Sequence, residues 1–243
     1  NFVLLAVDAK IGTRYDRVKT RKSETDKVSF DEFVFQEKLE MDNVEPGKQN
    51  LRKCIQAADQ LNILQSIQQH SSEFDQIHVD ITDGHFTNNI SMSFSHIKEV
   101  KNQTDYKVDV QLMVEDNVKL APLAFAHGAD LVSIHLESTP IKDFINLSNE
   151  FTNLGVATLP NTDNSKLDEY LEYSSAVLFL GVNPGFSNQG QSVDLIDKIK
   201  NFKVLYPTYD GLIIADGGIQ KNHLNSLEDI GVDIAVQGGA IFG

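Results

Sequence analysis

The chain has a single cysteine, Cys54. An internal disulfide framework is therefore excluded, which fits a reducing compartment such as the cytosol. No stretch has the length and apolarity of a membrane span, and the first residues lack the pattern of a signal peptide. Positive charge is scarce: 21 lysines and arginines stand against 35 aspartates and glutamates, a net charge of −14. Such a chain repels phosphate backbones and carries no basic stripe, which excludes nucleic acid as a partner. Arginine disappears after Arg52, with Arg14, Arg17 and Arg21 before it. Residues 1–60 balance 11 basic against 11 acidic groups, and residues 61–243 carry the whole net charge. This seam predicts two units, 1–60 and 61–243. Asn1 in place of methionine and Gly243 just past a strand-like run read as cut ends.

What is present is a 41% hydrophobic content over 243 residues, enough for an α/β core. From about residue 75, short apolar runs alternate with amphipathic stretches. The strand candidates are "FDQIHVDI", "YKVDVQLMV", "ADLVSIHLE", "VATLP", "AVLFLGVN", "GLIIAD" and "VDIAVQ". Helix candidates lie between them, including "SFSHIKEVKNQ", "NVKLAPLAFAHG", "SKLDEYLEYS" and "SVDLIDKIKNFKVLY". Strands separated by helices imply parallel pairing with right-handed crossovers. The pattern predicts an α/β fold, a (β/α)8 TIM-type barrel complete or one strand short, with an open doubly wound sheet as rival.

The segment "QIHVDITDGHF" concentrates the chemistry. On a strand, His78 and Asp80 share one face while Ile77, Val79 and Ile81 share the other. Gln111 lies near the end of the next strand, on the face of Asp109 and Met113. Asp216 closes "LIIAD" and runs into Gly217-Gly218. In a barrel, active sites gather at the C-terminal strand ends, so Asp80 and Asp216 can meet across the mouth. Alone, each reads as a loop or cap residue; paired beside His78, they suit proton removal and delivery. The glycine-rich exits "NPGFSNQGQ", "DGGI" and "QGGAIFG" suit backbone cradling of a phosphate, or simply tight turns. "GFSNQGQS" has the spacing of a P-loop, but Gln191 stands where the lysine belongs, which removes the nucleotide reading.

The segments "QIHVDITDGHFTNNISMSF", "VDVQLMVEDN", "LGVNPGFSNQGQ" and "IIADGGIQKNHLNSLEDIGVDIAVQGGAIFG" together resemble the ribulose-phosphate 3-epimerase family. The resemblance implies a (β/α)8 barrel that inverts C3 of a phosphorylated ketose, D-ribulose 5-phosphate to D-xylulose 5-phosphate, through a metal-stabilised enediolate. It implies Asp80 and Asp216 as acid and base, and His78, Asp80, Gln111 and Asp216 as ligands of a divalent metal (Zn, Fe, Mn or Co). It places phosphate contacts at Gly185, Phe186, Ser187, Asn188, Gly217, Gly218, Gly238 and Gly239. The chain departs from the family where Gln111 replaces a histidine, where Thr82 and Leu180 replace methionines, and where Gly239 replaces a serine. An amide oxygen is a harder and weaker ligand than imidazole, so zinc affinity is expected to fall.

The first 60 residues resemble instead the C-terminal part of a P-loop nucleotide or dephospho-coenzyme A kinase-like protein, with Arg14, Arg17 and Arg21 on the lid helix. No Walker A motif precedes them. "CIQAADQLNIL" also resembles the epimerase family's first strand exit, and "FVLLAVDA" is a second candidate for the missing strand. Three readings follow. The first is a cytoplasmic, metal-assisted epimerase, with a phosphorylated ketose and a second copy of the chain as partners. The second is a non-catalytic sugar-phosphate-binding chain, and the third a nucleotide-kinase remnant.

Overall fold

The computed structural model describes residues 29–31, 63–184 and 191–242. Apart from residues 29–31, the kinase-like segment lies outside them with its three arginines, as do "FVLLAVDA", Gly185–Asn188 and all of "CIQAADQLNIL" but its last two residues, which are helical. The chain divides into two units, Asn1–Gln69 and His70–Gly243, and every strand described here belongs to the second.

Each of the seven predicted strands forms: β1 (Gln76–Thr82), β2 (Lys107–Met113), β3 (Leu131–His135), β4 (Leu154–Thr158), β5 (Ala176–Leu180), β6 (Leu212–Asp216) and β7 (Ile234–Val236). All neighbours pair in parallel, and the sheet order follows the chain order from β1 to β7. A doubly wound sheet needs a point where that order reverses. None exists among the described strands, so the rival architecture falls. The strands form a nearly closed TIM-type (β/α) barrel.

The helices cover the outside as their apolar spacing requires. In α1 (Phe94–Gln103), Ile97 and Val100 are buried, and the Ser93 N–H donates to His96 Nδ1 at 3.0 Å to tie down the first turn. Helix α2 (Asn117–Ala126) is capped by Asp116, whose carboxylate accepts from the Lys119 N–H at 3.1 Å. Helix α3 (Ile141–Glu150) buries Phe144 and Leu147. In α4 (Leu195–Leu205), Leu195, Ile199 and Phe202 face inward, each contributing about 1.5–3 kcal/mol by burial. Helix α5 (Leu224–Asp229) precedes β7, and a last turn, α6 (Gly239–Phe242), follows it.

One predicted helix is absent. "SKLDEYLEYS" forms two 3-10 turns, Asn164–Leu167 and Leu171–Tyr173. Its buried side chains Leu167 and Tyr170 are three residues apart, a spacing that a 3-10 turn eclipses on one side. The Tyr170 hydroxyl donates to Thr139 O at 2.9 Å, and Asn164 Nδ2 donates to Lys198 O at 2.9 Å. The backbone closes shorter local bonds, such as Tyr170 N–H to Leu167 O at 2.8 Å, while these tertiary bonds anchor the side chains.

The barrel interior is chemically divided. On the β4–β7 side it is apolar, built from Ala157, Ala176, Leu178, Leu180 and Ile214 with Val236 packed against them. On the β1–β3 side it is polar, with Asp109, Gln111, Ser133 and His135 all buried. That asymmetry sets the site.

Candidate active site

The register of β1 and β2 places His78 opposite Asp109 and Asp80 opposite Gln111. His78 Nδ1 lies 2.7 Å from Asp109 Oδ2, so these four side chains share the interior face. Asp109 is 2% exposed, and its carboxylate fixes the ring with Nδ1 as the protonated nitrogen. The other nitrogen, Nε2, lies 3.3 Å from Asp80 Oδ1 yet is buried without a hydrogen-bond partner. Burial alone would lower the imidazole's pKa; Asp109 and Asp80 outweigh it and hold it well above its ordinary value.

Asp216 arrives from the far side of the barrel at the end of β6. Gly217 then turns the chain at φ +103°, where an added Cβ would sit 2.9 Å from Val182 Cγ2 and 3.0 Å from Val182 N. Only glycine serves there without strain. One ligand atom from each of His78, Asp80 and Asp216 falls within 4.8 Å of the other two. Burial, then repulsion from Asp80, pushes the Asp216 carboxyl up to about 7, with His78 opposing. Asp80 stays half exposed, open to whatever enters.

These three residues line a cavity of about 990 Å³ at the C-terminal end of the strands. Gly217, Gly218, Gly238 and Gly239 also line it, as do Thr82 and Leu180 from the positions expected to hold methionine. Met92 and Met113 line it too. Gln191, the residue that removed the P-loop reading, reaches across and donates to Gly217 O at 3.2 Å. Beside β1, Asp83 ends the strand: its Oδ1 accepts from the His85 and Phe86 N–H groups, and its Oδ2 from the Glu115 N–H at 2.9 Å. The Asp-Gly after the strand is thus a staple between two mouth loops.

Gln111 is fully buried, and its Nε2 lies 2.9 Å from His135 Nε2 on β3, a residue not singled out in the sequence. Asp109 was likewise unremarked except as a neighbour of Gln111. The signal for both was present in the alternation of β2 and β3, where polar residues occupy interior positions of otherwise apolar strands.

The donor set of His78, Asp80 and Asp216 fits a divalent cation. One imidazole nitrogen has no proton partner, and two carboxylates supply negative charge beside it. A cation at Nε2 would replace the proton that Asp80 and Asp109 otherwise draw onto the ring.

A family model described as "Ribulose-phosphate 3 epimerase family" matches residues 50–242. The chain belongs to the ribulose-phosphate 3-epimerase family. It is therefore an enzyme of the isomerase class, and its reaction class is sugar-phosphate epimerisation. The match begins at residue 50 and so includes Cys54 and the segment shared between the two candidate readings of the join. The ribulose-phosphate 3-epimerase of Aquifex aeolicus is 32% identical over 173 residues, covering 70% of this chain and 78% of the relative. That of Bacillus subtilis is 33% identical over 174 residues, covering 70% and 80%. Among solved structures, a 3-hexulose-6-phosphate synthase superposes with a TM-score of 0.53 at 18% identity, over 76% of this chain and 87% of that one. That likeness concerns the fold alone. Among the described residues, no helix is long and apolar enough to cross a membrane.

Proposed function

We propose that the chain inverts C3 of D-ribulose 5-phosphate to give D-xylulose 5-phosphate, with Asp80 and Asp216 as the acid–base pair. The observation that carries this reading is the convergence of the two carboxylates, from strands on different sides of the barrel, on one cavity. One carboxylate takes the proton from C3 and the other returns a proton to the opposite face, leaving the carbon inverted. A group held up to about 7 exchanges protons readily near neutrality, which suits Asp216 to either half of that task. Gly217–Gly218 and Gly238–Gly239 line the same cavity and offer backbone donors to the phosphate; Gly185–Asn188, which the family resemblance adds to that set, lie outside the described residues.

His78, Asp80 and Asp216 would hold the divalent cation, with Gln111 as a fourth donor. Bound there, it supplies positive charge beside the oxygens that turn negative as the C3 proton leaves. We assign residues 1–60 and the barrel at 61–243 to separate units; the division of the chain after Gln69 supports a boundary nearby.

The test is incubation of D-ribulose 5-phosphate with the protein in deuterated water. Formation of xylulose 5-phosphate carrying deuterium at C3 is the expected result. A folded, metal-supplied protein that neither forms the epimer nor exchanges the C3 proton overturns the reading.

A further inference from the structure

Gln111 stands where a stronger metal ligand was expected, and its surroundings decide which end of its amide faces the site. In the turn after the neighbouring strand β3, Glu137 Oε1 accepts from the Leu159 N–H at 2.8 Å and from the Thr162 hydroxyl. Its Oε2 lies 3.2 Å from His135 Nδ1. A carboxylate so placed is an acceptor throughout, which puts the proton of neutral His135 on Nδ1 and leaves Nε2 with a lone pair. The atom of Gln111 at 2.9 Å from that lone pair must then be a donor, its NH₂. The Phe86 ring, centred 5.0 Å from the imidazole, packs beside His135, which is itself fully buried.

The consequence falls on the other branch of the amide. Gln111 Oε1 is buried and has no hydrogen-bond partner. Register sets Gln111 between Asp80 of β1 and Ser133 of β3. With the NH₂ group committed to β3, the carbonyl oxygen is the end left for the side of His78 and Asp80. The other tautomer, with its proton on Nε2, would instead donate to Gln111 and turn the amide around. The NH₂ group then presented to the cluster has no lone pair to offer a cation.

We propose that His135, held by Glu137, is a positioning residue that fixes Gln111 with its amide oxygen toward the His78–Asp80–Asp216 cluster, as a hard donor to a divalent cation of the Mn²⁺ class. This rests on the metal-binding part of the function proposed above. The donors are then three oxygens and one nitrogen, a set that favours harder cations than two histidines would.

Mn²⁺ binding to the full chain, followed by electron paramagnetic resonance, tests the relay. Asp216→Asn reports on the cluster itself. Gln111→Ala and His135→Phe are each expected to weaken Mn²⁺ binding by about tenfold or more, as loss of a ligand or of its supporting partner does. The double variant should bind no more weakly than Gln111→Ala alone, because His135 acts only through Gln111. Equal losses from His135→Phe in both backgrounds, or no loss from Gln111→Ala, overturn the proposal while leaving an Asp216-dependent metal site standing. Absence of Mn²⁺ binding by the unaltered chain overturns both this proposal and the metal reading beneath it. A measurement without any variant guards against misfolding. Nitrogen-15 shifts of His135 should show a neutral ring protonated at Nδ1, and a ring protonated at Nε2 overturns the relay.

Discussion

His78 and Asp109 form the most constrained contact at the site: Nδ1 donates to Oδ2 across 2.7 Å, from register partners on adjacent strands, with Asp109 almost fully buried. The bond leaves Nε2 facing Asp80. Asp109→Asn keeps the size of the side chain but can meet Nδ1 with an amide NH₂, which favours the wrong tautomer. Metal affinity is expected to drop about 10–100-fold, the usual result of removing such a support. Equilibrium dialysis against a divalent metal, with thermal unfolding as the check on the fold, measures it. Unchanged affinity would mean that β1 alone orients the imidazole.

Asp80 and Asp216 are expected to differ when each is replaced by asparagine. Either change should cut epimerisation by about 10²–10⁴-fold, the range for loss of a positioned acid or base. Asp216 is the one raised to about 7, by burial first and by Asp80 second. Asp80→Asn removes that repulsion, so the Asp216 carboxyl should fall toward the usual range. Residual proton exchange at C3 in this variant, followed against pH, should therefore shift its rising limb to lower pH. An unshifted limb would show that Asp216 does not feel Asp80.

The strands were legible because each carries alternating or continuous apolar residues between turn signals, and the sheet used them in chain order. His78, Asp80 and Asp216 were legible as strand-end polar residues on one face. The second layer was not. Alternation marks Asp109 and His135 as interior positions, but which side chains they meet depends on how β1, β2 and β3 lie beside one another, and Glu137 reaches His135 from the turn after β3, none of which spacing within one strand reveals. The same holds for "SKLDEYLEYS": its helical periodicity was real, but Lys198, Thr139 and Asn201 bind it from other parts of the chain.

Glu137 gives the barrel an acid-sensitive element. Burial pushes its carboxyl up, but the bonds from His135, the Thr162 hydroxyl and the Leu159 N–H outweigh burial and hold it below its ordinary value of 4.5. A folded-state pKa below the unfolded one adds stability that is complete above the unfolded value and lost as pH falls through the folded one. Glu137→Gln should thus be less stable near neutrality. Its stability should also depend less on pH below 4.5 than that of the unaltered chain. Denaturant midpoints measured from pH 7 down to about 3 check this. Parallel curves for the two proteins would remove Glu137 from the acid response.

Lys198 offers a test of the structure apart from the chemistry. Its ammonium donates to three backbone carbonyls of the β4–β5 connection: Leu159 and Pro160 at 2.8 Å and Thr162 at 3.0 Å. Leu159 O has another donor, the Thr162 N–H at 3.1 Å, so it is not orphaned if the lysine is lost. Lys198→Met keeps the length of the stem on α4 and removes all three donors. Leaving such acceptors unpaired costs about 1–3 kcal/mol. For a chain of this size that is a fall in Tm of roughly 2–4 °C per kcal/mol. Lys198→Arg is the sharper comparison. A planar guanidinium spreads its donors and cannot direct three from one point, so it should recover little of the loss. Calorimetry of the three proteins decides it. Full recovery by arginine would mean that positive charge alone, and not the convergence of the three carbonyls on one nitrogen, holds this connection in place.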